Sequence, residues 1–185
     1  MELPFGFTAS EGYEKALLYI FNFFNSIGIN TRYHPYIHYK TIVYAVENNQ
    51  FKEITVQNHY RNVIATLPGN KPEKIYLTAH FDTCDSYPGA NDNHSGIACL
   101  LEMARILSHY QLNLTIVFVA FSGEEMGKLG SKAFIQKIQG KAIGAINIDE
   151  VGNGAIQQQQ LITNSRSFAF ATKLKRMIQQ SNRFP

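Results

Sequence analysis

One histidine and five carboxylates stand where apolar segments of this chain end. His80 and Asp82 close the run Ile75–Ala79 in the string Ala-His-Phe-Asp. Asp92 lies in Gly-Ala-Asn-Asp-Asn-His-Ser-Gly. Glu124 and Glu125 follow Thr115–Phe121, and Asp149 follows Ala142–Ile148. Carboxylates brought together repel one another unless a cation neutralises them. Imidazole nitrogen and carboxylate oxygen both ligate zinc, and one histidine with several acids could serve one ion or two. Asp82, two residues from His80, falls on the same side of a continuing strand. It could accept the second imidazole N–H and fix the tautomer. Asp92 could bridge two ions about 3.5–4 Å apart, a hydrolytic arrangement. Of the adjacent glutamates, one could bind metal while its neighbour serves as general base and carries the proton to a leaving amine.

Each residue also has an ordinary explanation. His80 alone would more often be structural than a ligand. Asp92 could cap a helix or hold an Asx turn, and Asp82 and Asp85 could be turn residues. Glu124 and Glu125 could open a helix, where acids are favoured, and Asp149 could be a loop acid. The joint pattern outweighs these readings, because every acid follows an apolar strand or precedes a helix.

The elements that must position these groups alternate. Ser10–Phe24 reads as a helix, with Ser10 able to cap it and Tyr13, Leu17, Ile20 and Phe24 on one face. Thr41–Glu47 and Asn62–Leu67 read as strands, with turn signals at Asn48-Asn49 and Pro68-Gly69-Asn70. Ile75–Ala79 is a short buried strand, and Gly89–Gly96 a polar, turn-forming loop. Ile97–Leu107 has the apolar stripe of a helix, and Leu129–Ile138 reads as another. Thr115–Phe121 and Ala142–Ile148 read as strands buried on both faces. Leu161–Thr163 reads as a short strand and Ser167–Gln180 as a last helix. Alternation of this kind argues for an α/β sandwich, and three of its strands would carry acids to one edge, outside their carboxyl ends, where such sheets bind ligands. The run Gln157–Gln160 reads as an exposed turn or edge strand. Lys173, Lys175 and Arg176 read as a solvated face.

The composition agrees with a globular domain. The chain has 185 residues, 45% apolar and 17% charged, with a formal net charge of +3. That excludes disorder as the main state and gives no footprint for nucleic acid. The apolar runs are too short for a membrane helix of about 20 residues. Two cysteines exclude a disulfide-dense scaffold. Cys84 reads as an ordinary loop cysteine, with a zinc ligand or reactive thiol as the alternative, and Cys99 as a small core residue. No signal sequence follows Met1. A cytoplasmic location is expected if Met1 is native, and a secreted one if a signal peptide has been removed.

Four ordered strings carry a resemblance. Ala-His-Phe-Asp-Thr, Gly-Ala-Asn-Asp-Asn-His-Ser-Gly, Val-Ala-Phe-Ser-Gly-Glu-Glu-Met-Gly-Lys-Leu-Gly-Ser and Ile-Asn-Ile-Asp-Glu-Val-Gly span about Arg61 to Gly152. Together they resemble the co-catalytic zinc aminopeptidases, whose relatives include bacterial leucyl aminopeptidases, glutamate carboxypeptidase II and the glutaminyl cyclases. The resemblance implies one catalytic domain over residues 1–185, a three-layer α/β/α sandwich with a mixed, mostly parallel sheet. It implies His80 as ligand of one zinc, shared with Asp149, and Asp82 as the acid that orients it. Asp92 would bridge the ions, Glu125 would bind the other zinc, and Glu124 would be the general base. The family's reaction is attack of a metal-bridging water on a peptide carbonyl, with the substrate's free α-amino group docked against one zinc.

The sequence departs from the family in one respect. The family's last zinc ligand is a histidine well downstream of the Asp149 position. The six histidines here are His34, His38, His59, His80, His94 and His109, all before it. The expectation is therefore a C-terminally incomplete domain that binds two zinc ions as its family does, or one where the second site lacks its ligand. His94 is a less favoured substitute, since it reads as facing solvent, and His34 and His38 read as packing or surface residues. An aminopeptidase acting on peptides with a free N-terminus is the leading reading. An inactive metal-binding relative is the alternative, followed by a glutaminyl cyclase-like acyltransferase and, with little weight, an interaction domain. No nucleic acid or membrane partner is expected. An open sheet edge would pair readily with a second chain, so a homo-oligomer is an expectation.

Overall fold

Burial along the chain follows two periods, and they set the layers. A computed structural model describes residues 11–46, 50–84, 88–138, 140–152, 162 and 167–181. Strands β1 (Asn30–Val46) and β2 (Gln50–Leu67) form a long antiparallel hairpin. Then come β3 (Lys71–His80), β4 (Leu114–Phe121) and β5 (Ala142–Asn147). The sheet order is β1-β2-β4-β3-β5. β2 runs antiparallel to β4, while β3 runs parallel to both β4 and β5. Two pairings are thus antiparallel and two parallel. The sheet is mixed, as expected, but not mostly parallel, because the hairpin supplies as many pairings as the βαβ crossovers.

Alternate residues of each strand face opposite layers. Val63, Ala65, Leu77, Ala79, Phe118 and Ala120 face one side, where they pack against α1 (Glu11–Ser26) and α2 (Gly96–Leu107). Leu17, Ile20 and Phe24 of α1 meet Ile97, Leu100, Leu101 and Ala104 of α2 in that layer. These are the faces that the 3.6-residue period marks in the sequence. Ile64, Tyr76, Val117 and Val119 face the other side, where Phe134 of α3 (Leu129–Ile135) covers them. The result is an α/β fold with a helix layer on each face of the sheet.

Several sequence expectations change. The strands expected at Thr41–Glu47 and Asn62–Leu67 belong to strands of 17 and 18 residues. β2 pairs with β4 only over Val63–Leu67, so the hairpin runs on past that contact. β4 is buried along its middle, as expected, but β5 is largely exposed. β5 is an edge strand, with no strand on its outer side among the described residues. Its apolar composition alone could not distinguish an edge from an interior. α3 ends at Ile135 rather than Ile138. Cys99 is exposed, not a core residue, because it falls on the outer face of α2. The Ser10 cap, the Asn48-Asn49 turn, Asp85, the Gln157–Gln160 run and the strand at Leu161–Thr163 lie outside the described residues, apart from Ile162.

The chain divides into two compact units, Met1–Gly152 and Asn153–Pro185. The first holds the sheet and every candidate site residue. In the second, α4 (Phe168–Ser181) exposes Lys173, Lys175 and Arg176, in line with a solvated face. Among the described residues no helix is long and apolar enough to cross a membrane.

Candidate metal centre

β3 ends at His80, which pairs with Phe121 at the end of β4. Residues that leave the two strands therefore start side by side, and they converge. The His80 side chain is buried, with Nδ1 3.1 Å from the backbone carbonyl oxygen of Asp82 and 3.7 Å from its carboxylate. Nδ1–H thus donates to the carbonyl, which leaves Nε2 unprotonated in the neutral ring. The Asp82 carboxylate has a different partner set from the one expected. It accepts the backbone N–H of Glu124 on one oxygen and that of Glu125 on the other, both at 3.1 Å. Asp82 therefore fastens the Glu124-Glu125 turn to the end of β3.

Asp92 and Asp149 approach the other ring nitrogen, Nε2. Nε2 of His80 is 3.1 Å from Asp92 Oδ1 and 3.4 Å from Asp149 Oδ1. The segments that carry these two acids are held together by their neighbours. Asn93 is buried; its amide donates to Ile148 O at 2.8 Å and its oxygen accepts from Gly96 and Glu150 N–H. Asn91 accepts from Gly152 N–H, and Ser95 Oγ accepts from Val151 N–H. Asn91, Asn93 and Ser95 clamp the Asp149 loop, and Asp92 between them is left to face His80. His94 is exposed, as expected.

Whether these residues fit a metal follows from their donors. The imidazole lone pair on Nε2 lies 3.1 and 3.4 Å from the two carboxylate oxygens, and the three acceptors lie within 4.8 Å of one another. Such a set is stable only with a proton or a metal cation among them. Two overlapping groups of three donors meet this description: His80 with Asp92 and Asp149, and His80 with Glu124 and Glu125. In the metal-free state the carboxylates draw a proton onto His80. Burial lowers its pKa, but the Asp82 and Asp149 carboxylates outweigh that and push it up to about 9. The pKa of Glu124 is raised, first by burial and then by Glu125 and Asp149, against the lowering effect of His80 and Lys128. A carboxylate shifted towards neutrality is suited to take and release protons.

All six residues expected from the sequence thus gather around His80. Among the described residues, no three-donor group contains both Asp92 and Glu125. Cys84 is exposed, and its thiol is pushed up to about 11, first by a hydrogen bond to Glu125. A thiol so held stays protonated near neutral pH, which is not the state that ligates metal.

Residues that sequence reasoning missed hold the Glu124 side in place. Asn62 Oδ1 accepts the Ser122 backbone N–H at 3.0 Å, and Asn62 Nδ2 donates to Gly130 O at 2.9 Å. Tyr36 Oη donates to Ser122 O at 2.8 Å. Only the hairpin register brings Tyr36 and Asn62 here, and no local signal announces it. The alternation Asn91, Asn93, Ser95 around Asp92 was the one visible sign of a holding device. A cavity of 470 Å³ opens beside the donors, lined by His80, Glu124 and Asp149 and by the apolar Phe121, Phe134 and Ile143.

A mixed sheet with an imidazole and several carboxylates at the carboxyl ends of its strands defines an α/β domain of the metallopeptidase type. The chain belongs to Peptidase family M28, whose model matches residues 62–184. A probable zinc metalloprotease of Pyrenophora teres f. teres is 43% identical over 104 residues, which cover 49% of this chain and 22% of that protein. Aminopeptidase YwaD of Bacillus subtilis is 38% identical over 98 residues, covering 51% of this chain and 22% of that protein. The chain therefore spans less than a quarter of the length of either relative. The solved structure of BSAP, a zinc aminopeptidase from Bacillus subtilis, matches the fold with a TM-score of 0.66 at 14% identity, covering 91% of this chain and 72% of that one.

Proposed function

We propose that this chain carries the zinc-binding and proton-transfer residues of an aminopeptidase that cleaves N-terminal peptide bonds. The observation that carries the reading is the approach of His80 Nε2 to Asp92 and Asp149, with Glu124 and Glu125 forming a second group of donors with the same imidazole, all within 4.8 Å of one another. His80, Asp92 and Asp149 would hold one zinc, with Glu125 directed to a second. Zinc held there would supply Lewis-acid polarisation of the scissile carbonyl and a more acidic water.

The protein's own residues do the rest. Glu124, its pKa raised, takes a proton from the attacking water on its carboxylate and returns it to the leaving amine. Asp82 keeps Glu124 and Glu125 in register with His80 through the two N–H bonds. The apolar wall of Phe121, Phe134 and Ile143 receives the substrate's first side chain and keeps water from it. Free carboxylates near the site favour a substrate with a positively charged N-terminus over one that is blocked.

Glu124→Gln tests the reading. Hydrolysis of an aminoacyl anilide is expected to fall 10²–10⁴-fold, the usual worth of a general base, with zinc content unchanged. Turnover within about tenfold of the parent would overturn the assignment of Glu124. A second reading, a metal-binding relative without hydrolysis, is favoured by one observation: no group of three donors joins Asp92 to Glu125 among the described residues. Elemental analysis separates the two. Close to two zinc ions per chain supports the peptidase, and one ion with no turnover supports the inactive relative.

A further inference from the structure

A second cavity, of 330 Å³, opens on the α3 face of the sheet. Lys74, on its wall, lies six residues before His80 on β3, about 20 Å away along the strand. Arg32 from β1 and Lys137, just after α3, also line it. No carboxylate is among the described residues of its wall, so the field inside is positive.

His34 lines the same cavity and is 4% exposed. Its proton can be placed by following the hydrogen bonds. Asn62 Oδ1 accepts from Ser122 N–H, which fixes the amide orientation and turns Asn62 Nδ2 towards His34 Nδ1 at 3.2 Å. Nδ1 must therefore accept, and the neutral ring carries its proton on Nε2. Burial first, then Lys137 and Arg32, lower the pKa of His34 and keep the ring neutral. Nε2 has no hydrogen-bond partner, and the ring makes a T-shaped contact with Phe134, with centroids 5.7 Å apart. A buried N–H donor without an acceptor is costly and rare.

One kind of ligand answers both features. We propose that this cavity binds a small oxyanion of two or more negative charges, phosphate or a phosphate ester, between Arg32 and Lys137, with the Nε2–H of His34 as a neutral donor. A small adjustment of the His34 and Phe134 rings opens Nε2 to the ligand. Arg32 supplies the planar, multiple-donor geometry that phosphate oxygens favour. The site is separate from the metal centre and does not depend on the peptidase reading.

The test is calorimetric titration of the zinc-loaded full chain at low ionic strength with inorganic phosphate and, in parallel, with glycerol 3-phosphate. Saturable binding with a Kd near or below about 1 mM is expected. Arg32→Ala and Lys137→Ala should each weaken it about tenfold, as loss of a charge-assisted contact does. Both side chains are exposed, so neither change endangers folding. Lys132→Ala, on α3 but outside the cavity, should leave binding unchanged. The Nε2 resonance of His34 in ¹⁵N spectra should shift with phosphate. Tighter binding of glycerol 3-phosphate assigns an ester, and equal binding assigns the free ion. Three results would overturn the proposal: no saturation below about 10 mM; binding that survives both variants, which places the phosphate on the metal; or a His34 resonance that does not move.

Discussion

The two faces of the central sheet hold different kinds of residue. Towards α1 and α2 the strands present Val63, Ala65, Leu77, Ala79, Phe118 and Ala120, and the layer is closed and apolar. Towards α3 the same strands present His34, Asn62, Tyr76, Thr78 and His80, and both cavities open there. A period of two separates these sets, so one residue's shift in register would exchange them. Stability is concentrated on one face and chemistry on the other. A substitution on the closed face should therefore change folding and spare zinc, whereas one on the α3 face should reach the site as well as the fold.

Phe118→Ala gives the largest expected effect. Phe118 is fully buried and packs on Phe24 of α1, with ring centroids 5.8 Å apart. Truncation should cost about 3–5 kcal/mol, from lost burial and the cavity left behind. Urea unfolding measures this. Zinc affinity measured on the folded fraction should stay within about twofold, since nothing on the α3 face moves. A large loss of zinc would show that the faces are coupled.

Next is the pH dependence of the metal-free chain. His80 is raised from 6.5 to about 9 by the carboxylates around it, against burial. A raised pKa means the folded state holds the proton more tightly. That stabilisation is complete below about pH 6.5 and is lost as the pH rises to about 9. Its upper bound is about 3 kcal/mol; the Asp92 and Asp149 side chains are 48% and 40% exposed, so solvent screens part of it. Thermal unfolding after chelation should show a Tm that falls across this window. With zinc bound the same window should show no fall, because the cation takes the proton's place. A metal-free chain with a flat profile would count against the convergence on His80.

Asn62→Ala probes the α3 face without touching a donor. Asn62 is fully buried and serves Ser122, Gly130 and His34. Its loss leaves these groups without partners and should cost about 1–3 kcal/mol. Zinc affinity should drop as well, since the Ser122–Glu125 turn loses an anchor. Unfolding and zinc titration of one preparation give both numbers, and loss of stability with zinc affinity intact would confine Asn62 to the fold.

The candidate site residues were easier to pick out in the sequence than the residues that hold them. Five of the six sit where an apolar run stops and Asp92 sits just before one begins, and those are local features. α1 and α2 are legible from their periodic faces, and β4 from its unbroken apolar run. β5 misleads because Ala142, Ile143 and Ile146 suit an interior strand as well as an edge. The clamps are invisible because their partners are distant: Asn93 reaches Ile148 across 55 residues, and Tyr36 reaches Ser122 across 86. Such pairs exist only once the register does. The length of the hairpin was missed for the same reason, since the residues from Tyr33 to Lys40 show their alternation only against Val56–Val63.

Tyr36→Phe is the smallest of these changes and tells most about the join between the hairpin and the site. The Tyr36 hydroxyl bonds Ser122 O at 2.8 Å and lies 3.0 Å from Ser122 Oγ, while its ring stacks on Tyr60 with centroids 5.6 Å apart. Phe keeps the ring and removes only the hydroxyl, so about 0.5–1.5 kcal/mol of stability should go. The next residue explains why the hydroxyl fits so closely. Gly123 has φ +69, and a Cβ there would lie 2.8 Å from Tyr36 Oη, so only glycine allows the turn and the hydroxyl together. Without that bond the turn keeps Asn62, the Asp82 carboxylate and the backbone N–H groups of Leu129 and Gly130. Zinc binding through Asp92 and Asp149 should be unchanged, because neither acid touches the turn. If Glu124 has the role proposed above, hydrolysis should fall several-fold through kcat with KM unaltered. A fall in zinc content equal to the fall in turnover would mean instead that the hairpin supports the whole centre and not the Glu124 side alone.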